Sequence, residues 1–262
     1  IVYSVLYRVW GLSSGLITLL LLTLFFTPTI QGYYYVFLSF IALQVVLELG
    51  LYTVIINVAS HEWSKLSLDQ FGQITGSEMS LSRLIDLGRG VTRWYGLIVL
   101  IFIPATGFIG ISILPPDDVG VWYWPWLVLV FFAGLHLMAL PILSLLEGCG
   151  QVLQINKYRL YIGITSSLGL WASMVLGFDL WSMVVSAVMV LILDVYIIFF
   201  RYRSFFKPFW RSKPGLKVNW MTEIWPMQWR LGLQSLSGYF VLQFMTPVIF
   251  NAYGAIEAGR VG

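Results

Sequence analysis

Long apolar runs constrain this chain more than any other feature. Seven stretches, 9–27, 33–58, 94–114, 122–146, 160–177, 180–200 and 231–250, meet or approach the length of a membrane-crossing helix, which needs about 20 mainly apolar residues. Hydrophobic residues make up 59% of the 262 and charged residues only 10%, against roughly 25% charged in a soluble domain. A water-surrounded core of this size cannot hide so much apolar surface, so lipid is the solvent for much of it. The expected fold is an all-α integral membrane protein of about seven transmembrane helices. Its single cysteine, Cys149, excludes an internal disulfide framework and supplies no metal cluster.

The connections alternate in charge. Pro28 to Gly32, Pro115-Pro116-Asp117-Asp118 and Gly177-Phe178-Asp179 are short and carry no Lys or Arg. The others, 59–93, 147–159 and 201–230, are longer and basic. With the N-terminus in the cytoplasm, 14 of the 15 basic residues fall inside and only Arg260 falls outside, a strong positive-inside bias. Tryptophans mark span ends in agreement: Trp94 for the third, Trp122, Trp124 and Trp126 for the fourth, and Trp181 for the sixth.

Within 59–93, Thr75-Gly76-Ser77-Glu78 fits a capping box with Thr75 as the cap. Helical spacing follows, so 78–114 reads as one long helix that leaves the membrane, or as an amphipathic helix leading into a span, with Arg83 and Asp86 spaced for an exposed ion pair. Segment 201–229 mixes Lys and Arg with Phe205, Phe206, Phe209, Trp210, Trp220 and Trp225. It suits the inner leaflet surface, where anionic lipid attracts each basic residue by about 1 kcal/mol. Pro104, Gly107, Gly110 and Pro141 are expected to kink or loosen spans three and four.

The first and seventh spans echo each other. Arg8, Gly11, Ser14, Gly15, Thr27-Pro28 and Gly32 recur in order as Arg230, Gly232, Ser237, Gly238, Thr246-Pro247 and Gly254. Duplicated halves around a midplane site are a transporter signature. The chain starts at Ile1 and stops at Gly262 just after an apolar segment, and no cleavable signal pattern opens it. We expect a fragment.

Gly32-Tyr33-Tyr34-Tyr35, Gln44, Glu48-Leu49-Gly50-Leu51, Ala59-Ser60-His61-Glu62, Leu146-Glu147-Gly148-Cys149-Gly150, Arg159 and Gly238-Tyr239 resemble polysaccharide-biosynthesis membrane proteins. These are O-antigen-type flippases within the superfamily of multidrug, oligosaccharidyl-lipid and polysaccharide exporters. The resemblance implies two six-helix lobes facing a central cavity and alternating between inward-open and outward-open states. It divides the chain into a first lobe, 1–200, a basic cytoplasmic inter-lobe linker, 201–229, and the truncated start of a second lobe, 230–262. It further implies a bacterial cytoplasmic membrane, a lipid-linked saccharide substrate, contact with membrane lipid, and a coupling ion, H+ or Na+. No cofactor, metal or nucleic-acid partner is expected.

Ionisable groups at bilayer depth are costly and serve as functional candidates by default. Gln44, Glu48 and Tyr52 fall at i, i+4 and i+8 on one helical face. Such a stripe can line a cavity, bind a cation or contact sugar hydroxyls, and it can equally be a structural carboxylate with its partners. His136 lies mid-span, where an interhelical hydrogen bond is the commoner role and proton coupling the alternative. Asp194 reads as a partner of Arg201, Glu147 as a partner of Lys157 or Arg159, and His61, at the inner interface beside Glu62, as solvated. Arg8 and Arg230, at inner mouths, suit a diphosphate through guanidinium geometry, although positive-inside anchoring explains them as well.

Three competing functions remain at this stage. A cation-coupled multidrug exporter shares the superfamily, and a scaffold would turn the Gln44–Glu48–Tyr52 stripe toward a protein partner. An intramembrane glycan-modifying enzyme lacks its expected motifs, since neither Gly-x-Ser-x-Gly nor His-Glu-x-x-His occurs.

Overall fold

The computed structural model describes residues 2–211, 215 and 218–261. Lys213 and Lys217, two of the basic residues counted above, lie outside the described residues. The protein is an all-α membrane protein. Its helices are α1 (Val2–Phe25), α2 (Pro28–Ile41), α3 (Leu43–Glu48), α4 (Leu51–Trp63), α5 (Glu78–Ile113), α6 (Val119–Leu146), α7 (Val152–Val175), α8 (Trp181–Val195), α9 (Arg203–Arg211), α10 (Trp225–Leu242), α11 (Met245–Tyr253) and α12 (Ala255–Val261). Among the described residues, six helical stretches are long and apolar enough to cross a bilayer. One of them, Val119–Val175, doubles back, which makes seven passes.

The doubling-back follows from which residues meet. His136 on α6 meets Asp194 on α8, while Gly169 on α7 packs against Met189 of α8. The first pairing makes α6 and α8 parallel. The second, around the turn at Gly177, makes α7 and α8 antiparallel, so α7 runs against α6. The reversal occurs at Cys149 and Gly150, where Gly150 adopts φ +75°, a left-handed helix end that glycine accepts without steric cost. The connection expected over 147–159 therefore closes within five residues, and Lys157 and Arg159 belong to α7.

All passes alternate in this way. Residues 3 and 157, 62 and 83, 147 and 159, and 83 and 223 meet at one end of the bundle. Tyr33 meets Asp118 and Phe250 at the other. The basic connections thus gather at a single end. The core between them holds Phe37, Tyr95, Phe102 and Trp126, all buried, with Trp126 seated on the small surface of Gly107 and Gly110.

Several local expectations change. Helix α5 starts as spaced, but its cap is Ser77, whose hydroxyl accepts from the Ser80 amide at 3.5 Å. Thr75 is not the cap. It sits in a hairpin of β1 (Leu66–Leu68) and β2 (Ile74–Gly76), with its hydroxyl 3.2 Å from that of Ser67. Helix α5 is continuous through Pro104, and α6 through Pro125 and Pro141. Spans two and seven are broken, at Leu49-Gly50 and at Gln243-Phe244.

The echo between the first and seventh spans does not extend to their Thr-Pro pairs. Thr27 caps α2, with Pro28 at its first position and a reversal of the chain. Thr246-Pro247 lies within α11, after which the chain continues in the same direction along span two. Gln243 approaches Ser39, Leu231 packs on Gly50, and the Phe250 ring lies tilted against that of Tyr33.

The Leu49-Gly50 break places two consecutive residues in the left-handed region, at φ 50° and 68°, and a Cβ on Gly50 would stand 2.4 Å from the Leu231 side chain. A β-branched residue at such a φ costs about 1–3 kcal/mol before any clash. Gly50→Val should lower stability by about 3 kcal/mol or more, read as a fall in the thermal midpoint in detergent. An unchanged midpoint would show that span two does not need this break.

Candidate functional site

Ionisable and phenolic side chains from spans two to six converge in the bundle, in two linked groups. In the first, the Tyr52 hydroxyl of α4 donates to Glu147 Oε2 at 2.8 Å. Arg159 of α7 donates to the same carboxylate, Nη2 to Oε2 at 2.6 Å and Nη1 to Oε1 at 3.5 Å, and also to the Tyr52 oxygen. Its guanidinium stands 5.7 Å from the Tyr52 ring centre. Glu147 reaches α4 because Gly148 lets the two backbones close: a Cβ there would lie 2.8 Å from the Ile56 carbonyl oxygen.

In the second group, Asp194 of α8 is only 1% exposed. It accepts from the Tyr158 hydroxyl of α7 and is bonded to His136 Nδ1 of α6 at 2.6 Å. Three helices are fixed to one carboxylate. Because Tyr158 and Arg159 are chain neighbours, α7 joins the two groups.

Glu48 ends α3 between them. It lies within electrostatic reach of His136 and beside the Tyr95 hydroxyl, which is buried and completes no hydrogen bond in this arrangement. Gln44, one turn earlier, lines a cavity of about 230 Å³ together with His136, Tyr34 and Ser186. The rest of its lining is apolar, and the Gln44 side-chain oxygen has no partner among the described residues. A cavity with few polar groups, one of them an imidazole backed by a carboxylate, suits a small polar or charged guest.

The sequence candidates are therefore only partly brought together. Gln44, Glu48 and His136 share the centre. Tyr52 does not continue their stripe, because the left-handed pair at Leu49-Gly50 lies between it and Glu48, and it joins Glu147 and Arg159 instead. Arg8 and Arg230 are both exposed, on helices packed against different partners, α7 and α3–α4. The Arg230 guanidinium lies 5.8 Å from the Trp229 ring.

The expected pairing of Asp194 with Arg201 does not occur. A π turn over Tyr196–Arg201 adds to the helical repeat, which rotates Arg201 away to stand over the Tyr202 ring. Glu147 pairs with Arg159, as one of its two expected partners, whereas Lys157 faces the rings of Tyr3 and Tyr161. His61 is exposed, as expected, whereas its neighbour Glu62 is buried and bonded to Arg83 Nε at 2.7 Å, and Arg83 also holds Glu223 ahead of α10. That replaces the expected Arg83–Asp86 pair; Asp86 accepts the Val218 amide at 2.8 Å instead.

Sequence spacing had no means of finding Tyr158 or Tyr95. Tyr95 is the one phenol of α5 and Tyr158 one of two in α7, and only tertiary packing sets each beside a carboxylate. No group of three metal-binding side chains occurs among the described residues. No family model, curated protein or solved structure matches the chain.

Proposed function

We propose that the protein is a membrane transporter of flippase type, carrying a lipid-linked saccharide precursor from the inner to the outer leaflet by alternating access. No bond is made or broken in this reading. The task is to shelter an anionic, hydrophilic headgroup while its lipid tail stays in the bilayer. The observation that carries the reading is the convergence of Glu48, His136, Asp194, Glu147 and Arg159 inside an apolar bundle. Buried charges of this kind are expensive in lipid and mark substrate or ion paths.

The substrate class rests on the motifs that resemble polysaccharide exporters and on the basic end of the bundle, where Arg8 and Arg230 stand exposed to meet a diphosphate. The same end faces the cytoplasm of a bacterial inner membrane in this reading, by the positive-inside bias. Glu48 and the His136–Asp194 pair supply the site for a coupling ion, H+ or Na+. Span seven, lying along span two, opens the second half of the pathway.

The test uses the full-length protein in its own cell. Deleting its gene should cause a lipid-linked glycan to accumulate on the cytoplasmic leaflet, and Glu48→Gln should restore normal protein levels while leaving transport reduced about tenfold, a loss of about 1.4 kcal/mol. Sensitivity to small cationic drugs without glycan accumulation would overturn the flippase reading in favour of drug export. Full transport by Glu48→Gln would reduce that carboxylate to a packing role.

A further inference from the structure

Helix α9 lies across the basic end of the bundle with two unlike faces. Phe205, Phe206 and Phe209 are buried beneath it, while Arg203, Lys207 and Trp210 are exposed. It is held down at several points. Phe209 packs directly on Gly88, where a Cβ would meet its ring at 2.5 Å. Arg89 Nε donates to the Phe209 carbonyl at 2.7 Å, and the Tyr202 hydroxyl donates to Gln151 at 3.1 Å. Phe205 stacks on Phe209 with ring centres 5.8 Å apart.

Docked this way, α9 overhangs α5, α6 and the turn that ends α8, and leaves a groove of about 480 Å³. Its apolar lining comes from Ile142, Leu145, Ile198 and Phe206, and its polar lining from Arg89, Thr92 and Arg93. Trp210, 63% exposed, borders both this groove and a second hollow formed by Arg203, Ser204 and Lys207. An apolar lining, two arginines within it and an exposed tryptophan beside it are the three parts of a phospholipid site. Basic pockets between transmembrane helices bind anionic headgroups in this manner.

We propose that the groove beneath α9 binds one anionic phospholipid, with its phosphate at Arg93, a second charge or hydroxyl toward Lys207, and an acyl chain against Ile142, Ile198 and Phe206. The site is separate from the polar centre of the bundle and does not depend on what that centre transports. Charge selects the occupant: a zwitterionic lipid gains less from Arg93 and Lys207, and inorganic phosphate gains nothing from the apolar walls. Trp210 closes the groove toward the headgroup layer.

The test is native mass spectrometry of the full-length protein, titrated in neutral detergent with cardiolipin, phosphatidylglycerol or phosphatidylcholine. One tightly retained cardiolipin or phosphatidylglycerol is expected. Arg93→Ala should weaken retention about fivefold and Arg93→Glu about 25-fold, at about 1 kcal/mol per unit of charge near the surface. Lys65→Ala, at an exposed position away from the groove, should leave it unchanged. The thermal midpoint in lipid-free detergent checks that each variant folds. Trp210→Ala provides a second, uncharged probe and should also weaken retention. Equal retention of phosphatidylcholine, equal loss in Lys65→Ala, or stronger retention of a polyprenyl diphosphate than of either anionic phospholipid would each overturn the proposal.

Discussion

Asp194→Ala should destabilise the bundle by about 3 kcal/mol, within the range for removing one partner of a buried charge pair. The side chain is 1% exposed and joins α6, α7 and α8 through His136 and Tyr158. Alanine leaves an imidazole nitrogen and a phenol without their partner around a position that is itself 1% exposed. Asp194→Asn should cost far less, about 1 kcal/mol or under. Its amide oxygen still accepts from Tyr158, and its NH2 can donate to His136 Nδ1 once the imidazole carries its proton on Nε2. Thermal unfolding of the two variants in detergent distinguishes the outcomes. If alanine and asparagine are equally harmful, the charge itself holds the three helices together. If both are harmless, the cluster is not a structural tie.

This cluster shows where sequence reading reaches and where it stops. The seven passes and their alternating direction were legible because apolar run length and charge asymmetry are carried by many residues at once. Helix α5 was legible for the same reason, as a long run of consistent spacing. The stripe of Gln44, Glu48 and Tyr52 failed at a single point, two consecutive left-handed residues at Leu49-Gly50. Glycine permits that conformation in many settings, and nothing local demanded it here; the demand comes from Leu231 of span seven, packed against the break.

Asp194 was misplaced by the same kind of event. Its seven-residue spacing to Arg201 assumes a regular α-helix, and the π turn over Tyr196–Arg201 spoils the count. The hairpin at 66–76 escaped notice because three-residue strands carry too little pattern to stand out. Arg83 was placed on the correct helix but given a near neighbour as its partner. Its actual partners, Glu62 and Glu223, come from 21 and 140 residues away. Periodicity reports which side of a helix a residue lies on. It does not report which other helix that side will meet, and the polar site is built entirely from such meetings.

The Tyr52–Glu147–Arg159 group should behave as one unit, and it carries the other large expected effect. Arg159→Ala strands a carboxylate that is 15% exposed, with only the Tyr52 hydroxyl left to satisfy it. The loss should be about 2 kcal/mol, below the figure for Asp194 because the stranded carboxylate is 15% exposed, against 1% for Asp194, and water partly compensates. Glu147→Ala should cost a similar amount, since it strands the guanidinium in turn. The double variant should cost much less than the two summed, leaving a coupling of about 1–2 kcal/mol in a double-mutant cycle. Arg260 and Glu257 provide the internal comparison: they are also 2.6 Å apart, but their side chains are 70% and 45% exposed. An exposed pair of that kind contributes a few tenths of a kcal/mol, so its cycle should be nearly additive. Additivity at Glu147–Arg159 would mean that its charges are as well solvated as those at the rim. The turn at Gly150 would then be held by packing alone, through Gly148 on Ile56 and Ala59.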